Sequence, residues 1–311
     1  MSLSSATTTA SRPRPGKPTG RRSGIARLGP LPWIGPAVLL ILGVVVWPVY
    51  EMVHTSFQRI STSGFVRGSA GLDKYRKLFD EPALGKVLVS TVIWTVGVVA
   101  LTMLVSLALA QLFNQRFPGR RLTRWALIAP WAASVLMTAI GFKWMLNQTA
   151  GVLNTAMTDL GVVDGPKDWL GDPATAWPWM MFVAVFVSLP FTTYTLLAGL
   201  QTVPGEVYEA AKVDGAGVWQ TYRLITLPLL RPAFLVGLVI NLINVFNSFP
   251  VIWGMTQGGP GSETATSTVF MYQLKDTDIG ESAAMSVVNF ALVVVMVLVF
   301  LKVSRWNEEE N

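Results

Sequence analysis

The sequence of 311 residues contains no cysteine and a single histidine, His54. These absences exclude disulfides, thiol nucleophiles and cysteine-ligated zinc or iron–sulfur sites, and they nearly exclude a Ser-His-Asp triad. Charged residues are also scarce, at 14% of the chain, whereas soluble domains carry about a quarter. Because 51% of the residues are hydrophobic, the composition excludes an ordinary soluble enzyme and indicates a membrane protein.

Six long segments are almost free of charge, and each is long enough to cross a bilayer. A spanning helix needs about 20 mostly apolar residues. Six recurrences of such a segment argue against the alternative of buried core helices in a soluble domain. The sequence therefore predicts an all-α polytopic membrane protein with six transmembrane helices, at residues 31–52, 87–113, 125–146, 177–200, 233–253 and 283–302.

The basic residues predict the orientation, because cytoplasmic loops of membrane proteins are enriched in Lys and Arg. The chain before the first span is basic and contains no acid, and a second basic cluster follows the second span. Both clusters place the two termini in the cytoplasm. One outer loop, residues 58–86, argues against this orientation because it contains Arg59, Arg67, Lys74, Arg76, Lys77 and Lys86.

The same features divide the chain into three parts. Residues 1–30, rich in Ser, Thr, Arg, Pro and Gly, are predicted to form a disordered basic cytoplasmic tail, in preference to a signal or transit peptide. Residues 31–302 form the transmembrane domain, and residues 303–311 form a cytoplasmic C-terminal tail. The net charge of +6 follows from the orientation rule and requires no nucleic acid as a partner.

A polar segment, residues 201–232, separates the fourth and fifth spans. It predicts one short helix from Pro204 to Val213 and a second from Ala216 to Ile225, with Asp214 as a cap between them and a break at Pro228 before the fifth span. Such a pair could lie on the membrane surface, form a structured loop or dock onto a protein. Its few cations disfavour the membrane surface.

This segment also carries Glu209-Ala210-Ala211, then Gly215, Ile225 and Leu227-Pro228. The pattern resembles the EAA loop of permease subunits in bacterial binding-protein-dependent ABC importers. The segments 256–260 and 279–284 resemble the sugar-importer branch, in particular the first permease subunit of maltose-type and glycerol-3-phosphate-type systems. The resemblance covers about residues 75–302 and implies the type I ABC importer permease fold in the bacterial inner membrane.

The resemblance also implies the partners. No GxxxxGK[ST] phosphate loop occurs in the sequence, so ATP and Mg would be held by a cytoplasmic ATPase dimer and no cofactor by this chain. A second permease and an extracytoplasmic solute-binding protein would complete the importer in the lipid bilayer. By position in the motif, Glu209 would pair with a cation of the ATPase and Gly215 would make the bend. The coupling residues are then Glu209, Ala210, Ala211, Asp214, Gly215, Ile225, Leu227 and Pro228.

Polar residues in the fifth span suggest where a substrate passes. Asn241, Asn244 and Ser248 share one helical stripe, Asn247 lies beside it, and Phe246, Phe249 and Trp253 accompany them. Amides with flat apolar faces suit a sugar, whereas asparagine in a membrane bundle also hydrogen-bonds neighbouring helices. The resemblance favours the sugar path and adds Ser188, Phe191 and Thr192 of the fourth span.

Three further points narrow the function. Phe191 and Ser188 depart from the maltose-type pattern, so the sugar need not be maltose. Glycerol-3-phosphate, the alternative ligand, would require basic residues in the spans, and only Lys143 is available. A membrane-embedded enzyme would require a nucleophile or paired acids, and a proton-driven transporter a buried acid; neither is expected, so no catalytic or metal site is predicted. The tryptophans near span ends, Trp131 among them, are interpreted as an interfacial belt.

Overall fold

The computed structural model describes residues 31–61 and 63–306. The predicted tail at residues 1–30 and residues 307–311 of the predicted C-terminal tail lie outside these residues, whereas residues 303–306 belong to the last helix. The helices are α1 (Leu31–Ile41), α2 (Trp47–Ser56), α3 (Asp73–Phe79), α4 (Pro82–Asn114), α5 (Arg120–Ala132), α6 (Val135–Met145), α7 (Val152–Asp159), α8 (Pro173–Gln201), α9 (Gly205–Val213), α10 (Val218–Thr221), α11 (Leu227–Phe246), α12 (Phe249–Met255), α13 (Ser267–Lys275) and α14 (Ile279–Trp306).

The predicted all-α polytopic class is confirmed. Five helical stretches are long and apolar enough to cross a membrane, and one bent helix pair supplies a sixth within the described residues. The helices α4, α8, α11 and α14 begin four to six residues before the predicted spans, since hydropathy does not mark the residue at which a helix starts. The start of α8 shows this: Pro173 occupies the first position, and the Asp172 carboxylate accepts a hydrogen bond from the Ala174 amide at 2.9 Å.

Two of the predicted spans are not single straight helices. The third, 125–146, is divided into α5 and α6, which are bent by 96° at Ala133-Ser134. The fifth ends at Phe246, and α12 begins after Asn247-Ser248. Hydropathy reports composition and contains no information on backbone direction, so neither break was expected.

The chain divides into two compact units, at residue 51. In the first unit, α1 continues through a π-helical segment, Leu42–Val46, into α2. Its large apolar side chains, such as Trp33 and Leu39, are exposed, which suits a helix in contact with lipid.

The core of the second unit is formed by α4 and α8, which pack along much of their length, with α11 against both. Trp94, Met180 and Leu196 are fully buried there. Gly199 permits the close approach of α8 to α11, because a Cβ atom at this position would lie 2.3 Å from the Ala233 Cβ atom.

A β-hairpin precedes α4 and is not predicted by the sequence. Gln58–Ile60 pairs with Val66–Ser69 in antiparallel orientation, and α3 follows. We call this side of the second unit, with the starts of α4 and α14, the hairpin end. The opposite side, which contains α9, is the α9 end.

Four of the six basic residues of loop 58–86, namely Arg59, Lys74, Lys77 and Lys86, form ion pairs at the hairpin end. The Lys74 amine lies 2.5 Å from the Asp278 carboxylate, and the Lys77 amine lies 2.6 Å from that of Glu281. The side chain of Glu281 is only 1% exposed. The expectation that no acid is buried is therefore wrong. Glu281 lies in the first turn of α14, and α3 packs against α14.

These contacts shift the pKa values of the paired groups. Burial alone would raise the pKa of Asp278, but the hydrogen bond and charge of Lys74 hold this pKa below its ordinary value. The hydrogen bond to Glu281 raises the pKa of Lys77, although burial opposes the shift. Both shifts therefore favour the charged forms, the Asp278 carboxylate and the Lys77 ammonium group, at neutral pH.

Lys74→Met is expected to lower the free energy of unfolding by about 2 kcal/mol and the melting temperature by about 4–8 °C. The reason is that the partly buried Asp278 carboxylate then keeps the Lys77 amine, at 3.5 Å, as its one charged partner among the described residues, beside the hydrogen bond from the Glu281 amide. Thermal melting of the detergent-solubilised protein measures the loss. The matched control is Arg59→Met, which breaks an exposed pair with Asp73 and should change stability by less than about 0.5 kcal/mol. Equal losses of stability in the two variants would contradict the conclusion that the Lys74–Asp278 pair stabilises the protein more than the exposed pair does.

The difference in stability between the wild type and Lys74→Met should depend on pH. A carboxyl whose pKa is lowered in the folded state stabilises the protein above its ordinary pKa, 3.8 for Asp278, and loses that contribution as the pH falls below it. The gap in melting temperature between the wild type and Lys74→Met should therefore shrink as the pH falls from about 5 to about 3.

Candidate functional site

A cavity of about 410 Å³ lies where α5, α6, α8, α11 and α12 meet. Both breaks in the predicted spans border it: Trp131 and Val135 flank the first break, and Asn247 and Ser248 form the second. Non-helical backbone at membrane depth is tolerated where it is buried in protein or lines a cavity. The breaks and the cavity therefore belong to one feature.

The cavity gathers the residues that the sequence predicted for a substrate path. Every one of them except Thr192 lines it, namely Ser188, Phe191, Asn241, Asn244, Asn247 and Ser248. Thr192 lies directly behind the wall, fully buried. None of the described residues that line the cavity is charged.

Asn241 and Thr192 hold two helices together. The Asn241 Nδ2 atom donates to the Thr192 Oγ1 atom at 2.7 Å and to the Gly237 carbonyl at 2.9 Å. The Thr192 hydroxyl in turn donates to the Ser188 carbonyl at 2.9 Å. Asn241 is 3% exposed, so the alternative of an interhelical hydrogen bond describes this asparagine well.

Asn244 and Asn247 differ from Asn241 because both are exposed at the cavity. The Asn247 Nδ2 atom donates to the Ile243 carbonyl at 2.9 Å, in the last turn of α11. Asn244 makes no side-chain hydrogen bond to a described residue, which leaves its amide donors and acceptor directed to the cavity. Ser248 is fixed from behind, since its Oγ atom accepts from the Trp94 indole at 2.7 Å.

The aromatic residues expected beside the asparagines lie elsewhere. Phe249 and Trp253 stack on each other at 5.4 Å between ring centroids, and Tyr272 of α13 packs against both. Phe246 is 6% exposed and is not among the lining residues. The break after Phe246 turns these rings away from the stripe that a continuous helix would form.

Two other aromatic rings face the cavity. One is Phe191, which the sequence predicts for the substrate path. The other is Trp131, which the sequence pattern places in the interfacial belt. The sequence position of Trp131 could have indicated that it is not a belt residue, because it lies six residues inside the predicted third span, beside Pro130 and close to Ser134. Belt residues lie at span ends, so this depth is informative.

At the α9 end, the predicted first helix of the polar segment is present as α9. Gly215 follows it with a φ of +75°, in the left-handed region that favours glycine, and the Ala216 amide donates to the Ala211 carbonyl at 2.9 Å. Asp214 ends α9 and does not cap the next helix, which begins after Gly217. Ala211 is buried within the chain, whereas Glu209 and Ala210 are exposed.

The predicted break before the fifth span is wrong. The helix that begins at Val218 runs through a π-helical segment, Tyr222–Thr226, directly into α11 and ends at Phe246. Pro228 occupies the first turn of α11, so the wider π-helical turn before it accommodates the missing amide hydrogen bond. Ile225 and Leu227 are half-buried here.

The polar segment exposes an apolar surface. Val213, Val218 and Trp219 are exposed by 88%, 90% and 71% of their surface. They flank the Gly215 turn, and the exposed carboxylate of Glu209 lies on the same short helix as Val213. We call Glu209, Ala210, Val213, Val218 and Trp219 the turn surface. Its apolar area favours protein docking over a solvated loop.

The chain is similar to known proteins in its sequence and in its fold. Residues 88–307 match the family described as "Binding-protein-dependent transport system inner membrane component". A probable ABC transporter permease protein of Brucella suis biovar 1 is 37% identical over 276 residues, which cover 88% of this chain and 96% of that protein. The trehalose/maltose transport system permease protein MalF of Thermococcus litoralis is 32% identical over 285 residues, 91% of this chain and 96% of that one.

A solved structure is also similar. It is a chain of a bacterial ABC transporter involved in the import of the acidic polysaccharide alginate. The TM-score is 0.79 with 22% sequence identity, and the similarity covers 90% of this chain and 96% of that one. This similarity confirms the importer permease fold.

Proposed function

Because the chain belongs to the family of binding-protein-dependent transport system inner membrane components, we propose that the cavity at the two helix breaks is its part of the translocation path for a neutral sugar. The chain is a transport subunit of the inner membrane and not an enzyme. The observation that carries the proposal is the convergence of exposed amides, uncharged walls and aromatic rings in one cavity between candidate membrane-spanning helices.

The chemistry of the cavity suits a sugar. Asn244 and Asn247 offer amide donors and acceptors to hydroxyl groups, while Phe191 offers a flat apolar face. The similarity to the trehalose/maltose permease protein of T. litoralis supports the same substrate class. An anionic ligand such as glycerol-3-phosphate is disfavoured, because Lys143 does not line the cavity.

The turn surface supports the proposed coupling to an ATPase. Its exposed apolar side chains and the carboxylate of Glu209 would enter a groove of a cytoplasmic ATPase dimer, which binds ATP and Mg. The Thr226 hydroxyl lies 3.4 Å from the Tyr208 hydroxyl, so α9 contacts the long helix that continues into α11. Motion of α9 would therefore reach the cavity wall through a single helix.

The ion pairs support an orientation with the α9 end and both termini in the cytoplasm. Loop 58–86 would then lie outside, and its excess of basic residues is the main objection. Lys74, Lys77 and Lys86 are paired with Asp278, Glu281 and Glu263, and Arg59 is paired with Asp73. Four of the six basic residues of this loop are therefore paired with acids of the chain itself.

Transport would proceed by alternating access together with a second permease. A loaded extracytoplasmic solute-binding protein docks at the hairpin end, closure of the ATPase dimer around ATP opens the path outward, and hydrolysis resets it. A ligand that reverses a two-state equilibrium must distinguish the states by about 5.5 kcal/mol, and ATP bound at the partner is the available source.

Co-purification tests this assignment. The C-terminus is tagged, the membrane is extracted in mild detergent, and the associated chains are identified by mass spectrometry. A Walker-motif ATPase, a second permease and a solute-binding protein are expected. Recovery of this chain alone, even after cross-linking, would contradict the importer assembly.

A further inference from the structure

We propose that Trp131 is a specificity-determining residue of the path, whose indole stacks against the apolar face of a sugar ring. The inference rests on the proposed function and deepens it. Trp131 is the penultimate residue of α5, two residues before Ala133, and it lines the cavity together with Ser188, Asn244 and Asn247.

The exposure of Trp131 is the first observation. Trp131 is 60% exposed and is therefore not one of the buried residues of the core. It borders a cavity whose α8 and α11 walls include the buried residues Ala184 and Val245 as well as the exposed Phe191 and Asn244. A large flat ring in this position leaves a face available to a ligand.

The position of Trp131 along α5 separates it from the basic residues at the start of that helix. The basic residues Arg120 and Arg124 mark the start of α5, and the Arg124 guanidinium donates to the Phe113 carbonyl near the end of α4. Trp125 follows at this level, as a belt residue should. Trp131 lies six residues further, which is about 9 Å along the helix axis. The indole therefore lies beyond the basic end of the helix.

The polar side of the cavity completes the geometry. A pyranose ring presents C–H groups on its faces and hydroxyl groups around its edge. Asn244 and Asn247 supply hydrogen-bonding groups for the edge, and Trp131 supplies a larger apolar face than Phe191 does. A ligand without an apolar face gains nothing from the indole, so Trp131 would select sugars by their ring faces.

The test compares three variants in the assembled importer, reconstituted in liposomes with its binding protein and internal ATP. Radiolabelled trehalose and maltose are the probes. Trp131→Leu is expected to lower the maximal uptake rate of the transported probe on the order of tenfold, and Trp131→Phe by no more than about threefold, because a smaller aromatic face remains. Trp125→Leu, the control on the same helix, should stay within about twofold of the wild type.

The outcomes are distinguishable. Equal uptake by Trp131→Leu and the wild type would overturn the role of Trp131 and leave the proposed function intact. Loss of the second permease from the purified Trp131→Leu complex would also overturn it, since the indole would then be an interface residue. Failure of the wild type to transport either probe, with uptake of glycerol-3-phosphate instead, would overturn the proposed neutral sugar and the stacking role with it.

Discussion

Gly215→Pro is expected to reduce ATP-driven sugar uptake to less than about a tenth of the wild-type rate while the protein still inserts and folds. Gly215 has a φ of +75°, whereas a proline ring fixes φ near −65°. The substitution therefore redirects the turn that joins α9 to the long helix. Uptake into cells or vesicles measures the loss, and the amount of membrane-inserted protein is measured in parallel.

The control for this prediction lies two residues away. Gly217 has a φ of −68°, and a Cβ atom there meets no other atom within 4 Å. Gly217→Ala should therefore retain uptake. Wild-type uptake by Gly215→Pro would contradict the coupling role of the turn.

Charge reversal at Glu209 tests the same surface without altering the backbone. The carboxylate is exposed at the α9 end, so Glu209→Lys should insert normally but lose productive contact with the ATPase. Uptake is expected to fall at least about tenfold, and Glu209→Gln should lose less because it adds no opposing charge. Equal uptake by all three proteins would contradict the proposed pairing with a cation.

The second large effect is expected from the double variant Asn244→Leu with Asn247→Leu. Uptake should fall on the order of 10- to 100-fold, since two amide groups that face the cavity are lost and the hydroxyl groups of the sugar find no replacement. Assembly with the second permease and the ATPase should be unaffected. Transport assays and co-purification of the same preparation measure the two quantities.

Asn241→Leu is the matched control for that variant. Its amide donates to Thr192 of α8 and is almost fully buried, so its loss should lower thermal stability as well as uptake. The double variant should melt within about 1–2 °C of the wild type. Lost assembly of the double variant would show that Asn244 and Asn247 join helices and do not face the path.

The sequence alone predicts the class of this protein well because the relevant signals are local. Charge-free runs of about 20 residues correspond to the spanning helices, and α9 with the Gly215 turn appears where the polar segment predicts it. Asn244, Asn247 and Phe191, which the sequence predicts for a substrate path, line one cavity.

The features that escape prediction depend on backbone direction or on distant contacts. The 96° bend at Ala133-Ser134 and the break at Asn247-Ser248 leave hydropathy unchanged. The two breaks also determine which aromatic rings line the cavity: Trp131 lines it and Trp253 does not. The burial of Glu281 depends on Lys77, which is about 200 positions earlier in the chain, and no local pattern encodes that pair.

Uptake by the purified importer in liposomes is the most direct measurement. The vesicles contain ATP and Mg, the binding protein is added outside, and accumulation of radiolabelled trehalose and maltose is followed. We expect concentrative uptake of a neutral sugar that requires internal ATP and is lost when Asn244 and Asn247 are both replaced by leucine. Equal accumulation without ATP, or with the double variant, would contradict a path through this cavity driven by a partner ATPase.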